Sequence, residues 1–192
     1  DPDRHLALLS RFPIVRRNSA PMVPFELNGR PEWVRRGFLD VSIQVNPGYT
    51  LRFLGAHLKS KMPSAAGEEL IRRCEADQLR SRINRILSEN PKANLLVYGD
   101  LNDTQEQPSF RTVLGPWGNL FSLQDLAAQD PQGHRWTHFR PFTAVYSRID
   151  YLLASRGLRP EAAVPAGISG IAEWKRASDH RLIYARIVPQ ER

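Results

Sequence analysis

One cysteine, Cys74, is the whole thiol content of the 192-residue chain, which excludes an intramolecular disulfide. No apolar run approaches the roughly 20 residues that cross a bilayer. A secretory leader pattern, low-complexity blocks, internal repeats and linkers are lacking too, so one domain over residues 1–192 is expected. The chain opens on Asp1 rather than Met, which leaves the compartment open: a secreted or periplasmic location is compatible with a removed leader. Cys74 itself lies in a strongly helical stretch, where a small buried residue is its expected role.

What is present supports one substantial core, since 41% of the residues are hydrophobic. Lys and Arg outnumber Asp and Glu by 27 to 20, a formal charge of +7, so the average surface field attracts anions. Nucleic acid, phosphorylated lipids and phosphorylated small molecules all fit, and charge alone separates them only weakly.

The first 36 residues, with HLALLS, RFPIV and a stretch rich in Pro, Asn and Gly, suggest a strand entering a long surface loop. GFLDVSIQV alternates apolar and polar residues, Asn46-Pro47-Gly48 turns the chain, and YTLRFLGAHL returns, which predicts a hairpin ending near His57. From Ala65 to Ser88 the period becomes helical, with Leu70, Ile71, Cys74, Leu79, Ile83, Ile86 and Leu87 as the apolar stripe, stopped by Asn90-Pro91. Arg72, Arg73, Arg80, Arg82 and Arg85 wind around this helix, as on a solvated surface. NLLVYGDLN predicts a central strand buried on both faces, and residues 145–155 and 181–188 predict two more. Substrate selection is expected in loops 104–118, 129–144 and 156–178.

Three segments carry chemistry. GDLND places Asp100 and Asn102 two residues apart just past a buried strand, a carboxylate beside an amide; a plain strand-to-loop turn is the competing explanation. SDH puts Asp179 next to His180 before an apolar strand, where adjacent side chains point apart and each needs its own partner. Asp150, set among Ile149, Tyr151, Leu152 and Leu153, must be paired; His180 is the natural partner and Arg148 the alternative. His57 is more often structural at a strand end. Lys59, Ser60 and Lys61 resemble a solvated loop, and Trp136-Thr137-His138 suggests loop packing near the site in sequence only.

GDLND, RIDYLL and SDHRLI, in this order and preceded by ALLSRFPI, resemble the endonuclease/exonuclease/phosphatase superfamily of deoxyribonuclease-I-like proteins. The resemblance implies an α/β fold, a two-sheet β-sandwich flanked by helices with the site at one edge of the sheets. It further implies that Asp100 activates the water or binds metal, that Asn102 orients the phosphate and that Asp150 holds His180. Asp179 would bind Mg²⁺ or Mn²⁺, with Asp100 and Asn102 as further ligands, and His180 would stabilise the phosphate. His57, in AHLKS, stands where deoxyribonuclease-like members carry a histidine thought to protonate the leaving oxygen. The family's opening strands bring an Asn and a metal-binding Glu ahead of the segment that ALLSRFPI resembles. The chain is therefore expected to correspond to the C-terminal two-thirds or more of such a domain, with N-terminal strands missing. The expected activity is metal-dependent hydrolysis of a phosphodiester, nucleic acid first, with a phospholipid or phosphomonoester as the alternative and a noncatalytic binding remnant third.

Overall fold

The structure, a computed structural model, describes residues 4–190. Its first strand, β1 (Ile14–Arg17), begins after RFP. The long loop expected up to residue 36 is corrected: β2 (Val23–Leu27) and β3 (Arg30–Val34) form a hairpin. Its turn, Asn28-Gly29, holds both residues at positive φ, 52° and 74°, as a two-residue turn between right-twisted strands requires. Pro24 and Pro31 are tolerated because each strand of a two-stranded ribbon is an edge.

The predicted hairpin is β4 (Leu39–Asn46) and β5 (Tyr49–His57), and the predicted helix is α1 (Glu68–Glu89). The helix is the crossover that lets β6 (Leu95–Asp100) lie parallel to β5. Two of its arginines depart from the solvated pattern. Arg72 and Arg80 are buried, and Arg80 Nη1 donates to the Val113 carbonyl at 3.0 Å. That carbonyl belongs to the last turn of α2 (Pro108–Leu114), which lies within the expected 104–118 loop, so a buried cation satisfies an end group the helix cannot. Leu70 is largely solvent-facing and Cys74 only half-buried, so the inward stripe is Ile71, Ala76, Leu79, Ile83, Ile86 and Leu87.

Beyond β7 (Gln124–Asp125), the strand expected over 145–155 is broken at Arg148 and Ile149. Its first part, β9 (Val145–Ser147), pairs with β8 (His138–Arg140); its second, β10 (Asp150–Ala154), pairs with β6. The strand expected over 181–188 contracts to β12 (Ile183–Tyr184), paired with β11 (Gly167–Ile168) outside the central sheet. Side chains there still alternate: Ile183, Ala185 and Ile187 turn to the core, while Leu182, Tyr184 and Val188 are exposed.

The central sheet runs β1-β4-β5-β6-β10-β7. On one face α1, α2 and the β2–β3 hairpin cover a core built on Leu54, Leu95, Val97, Tyr151 and Leu153. On the other, Leu51, Leu96, Leu152 and Ala154 pack against Leu126, Leu158, Ile168 and Ile183, so the β11–β12 pair forms the second sheet layer. The chain thus has a mixed α/β fold with a large central sheet flanked by helices.

Candidate active site

Register assembles half the site. His57 lies beside Asp100 in the β5–β6 pairing, and Asp100 lies beside Asp150 in the β6–β10 pairing. Registered neighbours point the same way, and alternation from Leu96 and Leu152 puts all three on the face that meets the β11–β12 layer. Gly99 permits the close approach: at φ 132°, an added Cβ would lie 1.9 Å from the Ala56 carbonyl oxygen. Past β6 the chain turns back on Asp100. The Asn102 backbone N–H donates to Asp100 Oδ1 at 2.8 Å, and its Nδ2 donates to the Leu58 carbonyl at 3.0 Å and to Asp100 Oδ2 at 3.2 Å. This needs φ 53° at Asn102, a left-handed conformation that Asn tolerates.

His180 comes from the second layer. Its Nδ1 lies 2.8 Å from Asp150 Oδ2, and its Nε2 lies 4.0 Å from Asp100 Oδ2. His57 Nε2 reaches the same Asp100 oxygen at 3.2 Å. Arg148, the alternative partner for Asp150, instead pairs with Asp125 at 2.8 Å.

The Trp136-Thr137-His138 segment belongs to the site in space as well as in sequence, contrary to expectation. Buried Thr137 Oγ1 accepts from the Ile149 and Asp150 amides at 3.1 and 3.2 Å. The Thr137 carbonyl accepts from the Arg181 amide at 2.7 Å. The Arg181 guanidinium lies 4.3 Å from the Trp136 ring centroid and pairs with buried Asp130 at 2.9 Å. His138 bridges His180 antiparallel, their rings 4.7 Å apart. Asp179 has a side chain 83% exposed and approaches His138 Nε2 at 4.0 Å. The structure therefore gathers His57, Asp100, Asn102, Asp150 and His180, and sets Asp179 with His138. Aromatic density around 136–146 was the only sequence signal for this support, and it points to packing.

Beneath the turn, Lys59 is buried rather than solvated, its Nζ donating to the Ser60 and Met62 carbonyls at 3.0 and 2.7 Å. Buried Arg72 pairs with Asp103 at 3.0 Å, and Lys61 lies 3.6 Å from the same carboxylate.

Burial, then repulsion from Asp150, raises the Asp100 carboxyl from 3.8 to about 7. The hydrogen bond from Asp150 outweighs burial at His180 and raises it from 6.5 to about 9. Burial, then Arg36 and His180, lowers His57 to about 4. At neutral pH the site holds an imidazolium, a neutral imidazole and a carboxyl near its midpoint. A cleft of about 560 Å³, with Ile171, Trp174, Leu182 and Ile183 in its wall, opens beside Asp150 and His180.

The sequence matches the Endonuclease/Exonuclease/phosphatase family over residues 6–180, and the chain belongs to that family. Solved structures show its fold. Sphingomyelinase C from Streptomyces griseocarneus aligns with TM-score 0.58 and 16% identity, over 95% of this chain and 64% of that one. Truncated Caenorhabditis elegans TDP2 gives 0.60 and 18%, over 89% and 67%. A beta toxin mutant from Staphylococcus aureus with bound magnesium ions gives 0.57 and 19%, over 79% and 58%. This chain thus spans only part of the length of each. No curated protein matches the sequence.

Proposed function

We propose that the chain hydrolyses phosphodiesters with a divalent cation, nucleic acid being the first substrate to consider. One observation carries this reading: Asp150 holds His180 at 2.8 Å while Asp100, in register with both His57 and Asp150, faces the free nitrogen of His180. Two carboxylates in adjacent register repel each other when ionised, and a divalent cation relieves that repulsion, so the oxygen donors suit Mg²⁺ or Mn²⁺. Asp100 and Asn102 would hold the ion; Asp179, the further metal ligand that the resemblance implies, lies with His138 instead. Bound there, it would neutralise phosphate charge.

The residues supply the rest. Asp100, whose Oδ2 lies 4.0 Å from His180 Nε2, takes a proton from an attacking water. His180, kept as imidazolium by Asp150, donates from Nε2 to a nonbridging oxygen whose charge grows in the transition state. His57 is neutral at this pH, so its part as leaving-group acid, implied by the family resemblance, requires a proton passed along the 3.2 Å contact from Asp100.

The net charge of +7 favours a polyanion. A phospholipid is the second reading, favoured by exposed Phe142, Val145 and Tyr146 near the tip of the β8–β9 hairpin and by the likeness to a sphingomyelinase. Plasmid DNA, sphingomyelin vesicles and a phosphomonoester, each incubated with Mg²⁺ or Mn²⁺ with and without chelator, test both. Chelator-sensitive nicking supports the nuclease; intact plasmid alongside lipid cleavage would replace it with the second reading; no cleavage of any ester would leave a binding module.

A further inference from the structure

A second group of donors shares His180 with the carboxylate row. His138 and His180 are directly opposed across an antiparallel bridge, which puts their side chains on one face, as cross-strand partners must be. Their rings are inclined by 40° at 4.7 Å, so the in-plane lone pairs can converge. Asp179 supplies a carboxylate 4.0 Å from His138 Nε2, and one ligand atom from each of the three lies within 4.8 Å of the others. Donors around a tetrahedral ion with bonds of about 2.0 Å sit about 3.3 Å apart. The contraction needed is small, and the 83%-exposed Asp179 side chain has room to make it.

We infer that His138, Asp179 and His180 form a binding site for a borderline transition-metal ion of the Zn²⁺ class, separate in chemistry from the oxygen-lined Mg²⁺ position. Two imidazole nitrogens and one carboxylate suit Zn²⁺, Co²⁺ or Ni²⁺ better than Mg²⁺, which prefers an all-oxygen shell. The outer support already exists. His180 engages Asp150 through Nδ1 at 2.8 Å, so the ion takes Nε2 in the carboxylate–histidine–metal arrangement by displacing the proton that nitrogen otherwise carries. Since Nε2 is the only ring nitrogen of His180 that Asp150 leaves open, an ion there competes with phosphate for it.

Calorimetric titration of the full chain with Zn²⁺ in millimolar Mg²⁺, with Co²⁺ absorption reporting geometry, tests the site. One equivalent should bind, and low-coordinate Co²⁺ should give intense visible bands. His138→Ala and Asp179→Asn should each weaken Zn²⁺ by at least about a hundredfold, the upper end of what loss of an orienting partner costs, and Asp150→Asn by about tenfold. Asp100→Asn, which removes a charge 4.0 Å from His180 Nε2 without removing a ligand, should weaken Zn²⁺ less than any of these. Exposed Asp179 makes its variant safe for folding. Unchanged Zn²⁺ affinity in Asp179→Asn or His138→Ala, loss in Asp100→Asn, or no Zn²⁺ binding by the wild-type chain would each overturn the inference. Because the readout is binding, it stands or falls apart from the hydrolase reading.

Discussion

The two halves of the candidate site are held by different means. His57, Asp100 and Asp150 are fixed by strand register at the end of the central sheet, whose opposite face buries Tyr151 and Leu153 almost wholly. His138, Asp179 and His180 are fixed by one isolated bridge, the Thr137 hydroxyl and the Arg181–Asp130 pair, at segments where strands are two or three residues long. A sheet positions a side chain through many shared hydrogen bonds, so losing one costs little precision. Loop segments do it through a few buried polar contacts, each of which matters singly.

The largest effect tests whether the halves act as one. His180→Ala should lower kcat by about 10³–10⁴, the scale of removing one member of a hydrogen-bonded acid–base unit, while leaving the sheet half intact. Asp150→Asn keeps the shape but loses the charge that holds His180 as imidazolium; it should lower kcat by about 10² or more. A loss below tenfold for His180→Ala, measured on whichever ester the chain cleaves, would mean that the carboxylate row works alone.

Asp103→Ala probes the support beneath the sheet half. It strands the buried Arg72 guanidinium, 3.0 Å from the lost carboxylate, and should cost about 3–5 kcal/mol in urea unfolding. Thr137→Val probes the loop half. Two amides, Ile149 and Asp150, lose their acceptor, for about 1–3 kcal/mol. It should also lower kcat, because Asp150 is what orients His180. If Thr137→Val costs stability but leaves kcat unchanged, β10 alone holds Asp150 in place.

The same contrast governs what could be read from the sequence. Alternation, the Asn46-Pro47-Gly48 turn and the apolar run before Gly99 locate β4, β5, β6 and α1, because period and turn chemistry are local. GDLND and SDH could be paired with Asp150 because a carboxylate in a buried strand needs a partner. The roles of Thr137 and His138 could not be read, since the first depends on the amides of residues 149 and 150 and the second on a bridge to residue 180. Arg72 and Arg80 misled for a related reason: a charged residue on a helix reads as solvated until the buried carboxylate or carbonyl opposite it is known. The β2–β3 hairpin was legible in Asn28-Gly29 and was hidden only by the surrounding prolines.

The smallest effect is the most diagnostic of the carboxylate row. Asp100 titrates near 7 in the fold against 3.8 ordinarily, so the folded state holds this proton more tightly than the unfolded one. Its contribution to stability therefore falls as pH rises from about 4 to 7, and above 7 the full cost of an ionised, buried Asp100 beside Asp150 is in force. His180, raised to about 9, contributes fully below 6.5 and loses that contribution as pH rises through 9. At pH 8 the Asp100 cost is complete, while less than half of the His180 contribution remains. Asp100→Asn keeps an oxygen to accept from Asn102 and removes the charge, so at pH 8 without divalent cation it should stabilise the chain by about 1 kcal/mol, with little change at pH 4. Activity should be lost in the same variant, and in the wild type it should decline as pH rises through 9, where His180 loses its proton. Mg²⁺ should shrink the stability gap between the two proteins, because a cation beside Asp100 removes the same repulsion. A gap that is equal at pH 4 and 8 would show that the ionised Asp100 carboxylate, whether through burial or through Asp150, is not the source of the cost.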